Sequence, residues 1–337
     1  MNLPPPLTTP KEMPRIACLK RLLANVLLCV LLAAAALAQD AHVTPRPPRN
    51  ETELKSWLEN MVVYHDFSDE EVQLATGLTE EEVGAALDRF GIRRGSRPAR
   101  PPDAPLLVLP YPGGRHPRIG FLDGAIDPHR ETKVSVFTPW DPAGYVVVDV
   151  PEAIWSNLGL TYLAHTHVPT IWSEQGIELE PREWQRAEDG SLTSERKLPN
   201  GIAFGTRVVP HRDHVEMEMW LTNGTDRELT DLRVQNCVLL KGAPGFEAQT
   251  NDNKVFSGPY AACHSADGRR WIVTAWDPLH RAWANPPCPC LHSDPEFPDC
   301  GPGETSRLRG WLSFHEGASI EAEIARIEAT GWRSDGK

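Results

Sequence analysis

His214–Leu221 reads HVEMEMWL. Residues two apart on an extended strand share a face, so Val215, Met217, Met219 and Leu221 make an apolar side and His214, Glu216, Glu218 and Trp220 a polar one. A helix would scatter the same residues around its circumference, so the pattern predicts a strand with one face on a core and the other toward solvent. The run Asn223-Gly224-Thr225-Asp226 then forms a turn into Leu229–Lys241, where Leu232, Val234, Val238 and Leu240 face inward beside Asn236. Further strands are predicted at 106–109, 133–138, 145–150, 161–168, 202–209, 271–276 and 306–315. Many strands without intervening helices imply packed antiparallel sheets. Residues 106–333 are therefore expected to form an antiparallel β-sandwich, with a helix at Ser319–Ala329 covering one edge.

The period changes upstream of this domain. Glu51–Tyr64 places Leu54, Trp57, Leu58, Met61 and Val62 at helical spacing. Ser68 with Glu71 and Thr79 with Glu82 form two capping boxes, and Gly77 and Gly91 mark two helix ends. Residues 51–93 are thus a small helical module, and a Pro- and Arg-rich linker, 94–105, separates it from the sandwich. Residues 69–92 have the layout of a helix-turn-helix DNA reader, but the second helix opens Thr79-Glu80-Glu81-Glu82, which repels phosphate. A structural role, or docking of a protein partner through residues 51–92, is expected instead.

Lys11, Arg15, Lys20 and Arg21 precede an apolar run from Leu22 to Leu37 that ends in Ala36-Leu37-Ala38. This is the pattern of a cleaved export signal, residues 1–38, and the run falls short of the roughly 20 apolar residues of a spanning helix. A polar, Pro-rich tether, 39–50, follows. The expected location is periplasmic or extracellular, with no membrane span after cleavage. The whole chain carries a formal charge of −12, and removing four basic and one acidic residue with the signal leaves 30 Lys+Arg against 45 Asp+Glu. Nucleic acid, which demands clustered cations, is excluded as a partner.

Cys237, Cys263, Cys288, Cys290 and Cys300 remain after cleavage, an odd number in an oxidising compartment. Trp276–Cys300 reads WDPLHRAWANPPCPCLHSDPEFPDC and is expected to be a long functional or crosslinked loop. Three readings of it stand side by side: a disulfide from Cys300 to Cys288 or Cys290, a zinc or copper site from Cys288, Cys290, His292 and Cys300, or a reactive leftover thiol. Cys237 and Cys263 either pair or serve as buried small hydrophobes.

His292 beside Asp294 is the candidate acid–base pair in this segment, because a carboxylate fixes the tautomer of an imidazole and tunes it toward neutral pH. His165-Thr166-His167 places two imidazoles on one strand face, suited either to catalysis or to a metal, with Glu174 following. Trp276 and Trp283, with Arg281 between them and Asn285 beyond, are candidates to line a groove, since indole faces stack on sugar rings. Arg118, in a polar cluster with Arg115, His116, Asp123 and Asp127, is a candidate clamp for a carboxylate or hydroxyls.

The succession of a strand from Arg207, the Asn-Gly-Thr-Asp turn, a long strand, a large connecting region and Pro302-Gly303-Glu304 before a last strand resembles the β-supersandwich of galactose mutarotase-like proteins. The stretches PRIGFLDGAIDPHRETKVSVFTPWD (117–141), LRVQNCVLLKGAPGF (232–246) and ANPPCPCLHSDPEFPDC (284–300) resemble a family of exported bacterial proteins that brings no activity with it. The mutarotase likeness implies a His and a Glu acting as acid and base on a sugar, for which His165 or His167 with Glu316 is the pairing on offer. The resulting expectation is an extracytoplasmic sandwich that recognises or modifies a carbohydrate without a resident cofactor. A non-catalytic envelope interaction module and a metalloprotein built on His165 and His167 are the alternatives.

Overall fold

Two antiparallel sheets carry the chain from Val108 to Glu316. The computed structural model describes residues 45–119, 130–165 and 168–334, so the predicted export signal and most of the tether lie outside the described residues. Helices α1 (Glu51–Leu58), α2 (Asp69–Thr76) and α3 (Glu80–Phe90) come first. The strands are β1 (Val108–Pro110), β2 (Lys133–Phe137), β3 (Tyr145–Ser156), β4 (Gly159–Leu163), β5 (Gln185–Arg186), β6 (Leu192–Lys197), β7 (Ala203–Pro210) and β8 (His214–Thr222). They continue with β9 (Val234–Leu239), β10 (Lys254–Ser257), β11 (Tyr260–His264), β12 (Arg270–Asp277), β13 (Leu279–Trp283), β14 (Cys290–Pro295) and β15 (Thr305–Glu316), before helix α4 (Ile320–Ala329).

The first sheet runs β1-β2-β3-β9-β14-β13, with β4 also paired to β3, and the second runs β10-β11-β12-β15-β8-β7-β6-β5. Their facing sides form the main core: Val134, Val136, Val146, Val148 and Ile154 from the first meet Val208, Val215, Met217, Met219, Leu221, Ile272 and Leu312 from the second. Strand β8 alternates as its sequence predicts, because only its inner side packs on a core while Glu216 and Glu218 face outward. The β-sandwich expected from the sequence is the observed architecture.

Strands β2 and β3 do not alternate; every residue of β2 and eleven of the twelve in β3 are buried. The reason is a second cover on the first sheet. Its outer side presents Leu109, Tyr111, Phe137, Tyr145, Val147 and Leu239, joined by Tyr64 of the helical module. The second sheet is covered likewise: α4 lays Ile320 and Ile327, with Trp332 behind, on Tyr260, Val273 and Trp311. The last helix therefore covers a sheet face rather than the edge expected for it.

The helical module builds its own core from Leu58, Met61, Val62, Phe67, Val72, Val83 and Ala86. Both predicted capping boxes are present. After α1 the chain widens into a π-helical turn, Glu59–Tyr64, which ends with His65 donating to the carbonyl of Asn60 at 3.1 Å. His65 is the hinge pin between module and sheet. Its Nδ1 lies 3.0 Å from the Asn60 carbonyl and its Nε2 2.7 Å from Ser135 Oγ, so Nδ1 carries the proton and Nε2 accepts from the hydroxyl. Its ring meets Phe67, Tyr111, Phe137 and Tyr145 edge to face. Gly114 allows the closest approach, since a Cβ there would stand 2.4 Å from the carbonyl oxygen of Glu71. The linker also takes part: Arg97 stacks over Phe137 at 5.1 Å and bonds the Tyr64 carbonyl. Module, linker and first sheet thus pack together, where the sequence suggested a separation.

Burial lowers the His65 pKa from 6.5 to about 3, with Arg115 and Arg97 adding to the effect against the Asn60 hydrogen bond. The fold binds the neutral ring, so this contribution is full above 6.5, declines as pH falls below that value, and is gone once the folded ring protonates near 3. The melting temperature is expected to fall with acid across that window, and His65→Gln should remove this part of the slope. Superimposable pH profiles of the two proteins, read by circular dichroism, would contradict the assignment.

Candidate functional site

The segment Trp276–Cys300, expected to be a loop, is a hairpin at the edge of the first sheet. Strand β13 pairs with β14 in a register that sets Arg281 opposite Asp294 and Trp283 opposite His292. Strand β14 in turn pairs with β9, Cys290 opposite Leu239. Cys290, His292 and Asp294 sit two apart and so share a face. Trp283 stacks on the His292 ring at 4.1 Å, and its Nε1 donates to Asp294 Oδ2 at 2.6 Å. Arg281 Nε donates to the same oxygen at 2.9 Å, while Asn236 N donates to Oδ1 at 3.2 Å.

These contacts change the role expected for Asp294. Its oxygens are occupied by three donors and lie 3.8 Å from His292 Nδ1, which instead donates to the Asn236 carbonyl at 2.8 Å. Asp294 is a strut for Trp283 and Arg281, not the partner of a catalytic histidine. Burial works against an imidazolium at His292, but Cys290 and Asp294 outweigh it and raise its pKa well above the ordinary histidine value. The surroundings favour positive charge at this point.

A second group meets this hairpin from β3. Against β9 the register passes from Asp149 opposite Cys237 to Ala153 opposite Gln235, so β3 bulges by two residues. The bulge brings Asp149 and Glu152, which a regular strand would send to opposite faces, to the same imidazole: His165 Nε2 is 3.6 Å from Asp149 Oδ2 and 3.3 Å from Glu152 Oε1. Arg118 bonds Glu152 Oε1 and lies 2.8 Å from His165 Nε2. Lys133 Nζ closes on Asp149 Oδ2 at 2.9 Å, and both side chains are wholly buried.

Burial disfavours charge on Glu152, yet Arg118 and the hydrogen bond from His165 hold it well below the usual carboxylate range. Burial and the neighbouring Lys133 and Arg118 keep His165 well below its usual value and hence neutral. Burial likewise opposes charge on Arg118, but Glu152 and the Cys237 and Cys288 sulfurs raise it. Arg118 Nη2 and Glu152 Oε1 both lie against His165 Nε2, and His165 belongs to neither of the two donor groups that could hold a metal ion among the described residues. His167 lies outside the described residues, as do Asp123 and Asp127.

Between the two groups opens a cavity of about 270 Å³. Arg118, Glu152, Gln235, Asn285 and His292 supply its polar lining, Trp155, Leu160, Leu163, Val168 and Trp283 its apolar lining, and Cys237, Cys288 and Cys290 complete the wall. Glu152 is 3% exposed. Its Oε2 has no hydrogen-bond partner among the described residues.

The structure therefore gathers Arg118, Trp283, Asn285 and His292 around one cavity, with His165 behind Glu152 and Arg281 at the outer edge of the hairpin. Trp276 is elsewhere: it is 1% exposed, inside the sandwich core, packed where Gly310 leaves no side chain in its way. Glu316, paired with Arg270 at 3.4 Å at the open end of β15, is not the carboxylate that faces His165. Glu152 takes that place. Its signal in the sequence was the pair of acids, Asp149 and Glu152, interrupting the longest run of β-formers, YVVVDVPEAIW (145–155).

The cysteines also sort differently from expectation. All five are buried and free. Cys237, Cys288 and Cys290 belong to the cluster on the outer side of the first sheet, whereas Cys263 and Cys300 belong to the sandwich core. Neither a Cys300 bridge to Cys288 or Cys290 nor a Cys237–Cys263 bridge is formed, because the partners lie in different layers. For the same reason Cys300 does not join Cys288, Cys290 and His292 in a metal site.

No family model and no curated protein matches the chain. Among solved structures, a candidate aldose 1-epimerase from Escherichia coli K12 aligns at 9% identity and TM-score 0.32, over 41% of this chain and 69% of its own. The protein Slr1438 from Synechocystis sp. PCC 6803 aligns at 12% identity and TM-score 0.32, over 58% and 91%. A candidate kojibiose phosphorylase from the human microbiome aligns at 8% identity and TM-score 0.36, over 69% and 36%. At these scores the likenesses carry no argument, and the sandwich rests on its own pairing of strands.

Removing one member of a buried ion pair leaves the other charge uncompensated, at about 3–5 kcal/mol. Lys133→Met is expected to destabilise the protein by that amount in urea unfolding. The double variant Lys133→Met/Asp149→Leu should cost clearly less than the sum of the single changes. Additive losses would show that the two side chains do not form one buried unit.

Proposed function

We propose that the cavity recognises a small polyhydroxylated ligand, a sugar or sugar unit, outside the cytoplasm. The observation that carries this reading is Glu152 Oε2: a buried carboxylate oxygen, held ionised by Arg118, on the cavity wall and without a protein donor among the described residues. A buried carboxylate oxygen without a donor is costly even when the other oxygen is paired with Arg118, and a ligand hydroxyl is a neutral donor that satisfies it. Gln235 and Asn285 add donors and acceptors at the same wall, and Trp155 and Trp283 offer flat apolar faces for the ring carbons. The volume is close to the lower end of ligand pockets, about 300 Å³, and suits one ring rather than a long chain.

Recognition is favoured over acid–base turnover by the protonation states. Glu152 is held as an anion and His165 as a neutral ring tied to it, so neither is poised to give a proton near neutral pH. The ligand is then held by Glu152, with Arg118 fixing the carboxylate in place.

Titration of the protein with neutral monosaccharides and disaccharides, followed by tryptophan fluorescence and calorimetry, tests the proposal. Saturable binding of at least one sugar is expected. A hydrogen bond to a charged group is worth about 1.5–3 kcal/mol, so Glu152→Gln should weaken binding roughly tenfold or more. Trp155→Leu, which leaves the ion cluster intact, should weaken it as well. Absence of saturable binding across the panel, or equal affinity in both variants, would overturn the reading.

A further inference from the structure

We infer that Cys237, Cys290 and His292 form a binding site for a thiophilic d10 cation, Zn²⁺ or Cu⁺, with its remaining position open to Cys288 and the cavity. Two paired strands deliver the donors. Cys290 and His292 stand two apart on β14, Cys290 is opposite Leu239, and Cys237 lies two residues from Leu239 on β9. All three therefore emerge on the same side of the sheet. Their donor atoms lie within 4.8 Å of one another, with Cys290 Sγ 3.3 Å from His292 Nε2. A tetrahedral site with metal–sulfur bonds of about 2.3 Å and metal–nitrogen bonds of about 2.0 Å needs donor separations of roughly 3.5–3.8 Å, which small side-chain movements reach from these positions.

The imidazole is already turned for the task. Donation from Nδ1 to the Asn236 carbonyl orients the ring with Nε2 toward the sulfurs, where a cation would take the place of a proton. Trp283 stacked on the ring holds its plane. Two sulfurs and one imidazole are a soft donor set, which selects zinc or monovalent copper over magnesium or calcium.

Simple packing explains the other cysteines better than these. Cys263 and Cys300 each sit in the sandwich core with the sulfur facing a backbone carbonyl, as small buried side chains do. Cys237, Cys288 and Cys290 instead gather beside His292 at a cavity wall. Three protein donors with a position left toward a cavity is the pattern of metal sites that hold an exchangeable ligand. The cation site shares the wall with Glu152 but stands whether or not a sugar occupies the cavity.

The test uses the full chain, reduced and free of oxygen, titrated with Zn²⁺ against a chromophoric chelator and with Cu⁺ against bicinchoninate. Co²⁺ serves as the optical probe for Zn²⁺. His211, His214 and Glu216 form a separate donor set on the open face of the second sheet, so His211→Ala supplies the background. One equivalent of Zn²⁺ or Cu⁺ is expected in that background, and Co²⁺ should show thiolate charge transfer with tetrahedral visible bands. Cys290→Ser and Cys237→Ser should weaken binding by more than about 100-fold, while Cys300→Ser leaves it unchanged. If a serine variant does not fold, X-ray absorption of the wild-type complex decides, with two or three sulfur neighbours and one imidazole expected. No stoichiometric binding of either ion, a shell without sulfur, or undiminished binding in a folded Cys290→Ser protein would overturn the inference. Sugar titrations of the same variants keep this outcome separate from that of the ligand proposal.

Discussion

Everything at the candidate site depends on the first sheet being covered on both faces. The sandwich core closes one side through Val134, Val146 and Val148, and Tyr64, His65 and the linker arginines close much of the other. Solvent is thereby excluded from β2 and β3, and the charges on those strands must satisfy one another. Lys133 with Asp149, and Arg118 with Glu152 and His165, are that solution. In the low dielectric of such a layer each pairing is strong and each loss severe, so the cluster has little freedom to rearrange.

The cavity exists because this doubly covered layer reaches its edge at β13 and β14. There the β13–β14 hairpin forms the edge of the sheet, and the sheet's outer residues change from Phe and Tyr to Cys and His. The two-residue bulge in β3 turns Glu152 toward the opening. Glu152 stands on the wall of this cavity with Cys237, Cys290 and His292, and Trp155 and Trp283 lie beside them. Arg115 ties the helical module to the first sheet, bonding Glu71 on α2 and the Tyr145 hydroxyl on β3.

Much of the fold was legible because β8 and its neighbours have one solvent face, and period-two alternation reports that asymmetry directly. The helices were legible through their caps, which are local chemistry at Ser68, Glu71, Thr79 and Glu82. Strands β13 and β14 were not, since Pro286, Pro287 and Pro289 read as loop and both faces of β14 are buried, leaving no alternation to detect. Arg118, Trp283, Asn285 and His292, singled out by residue type, line one cavity. Glu152 was missed because a bulge breaks the parity rule by which a strand reading assigns faces. Of the two readings of Cys237, the bridge to Cys263 is not formed and the small buried side chain is observed, since pairing across layers is a property of topology rather than of spacing.

The account turns on Glu152 remaining an anion inside a buried, arginine-paired layer at the cavity wall. Carbon-13 NMR of glutamate side chains, with Glu152→Gln for assignment, measures that state directly. The prediction is a Glu152 carboxylate signal that stays in its ionised position down through the ordinary carboxylate range, below about pH 4. A Glu152 midpoint near that of an exposed glutamate, about 4.3, would contradict both the burial of the cluster and the ligand site built on it.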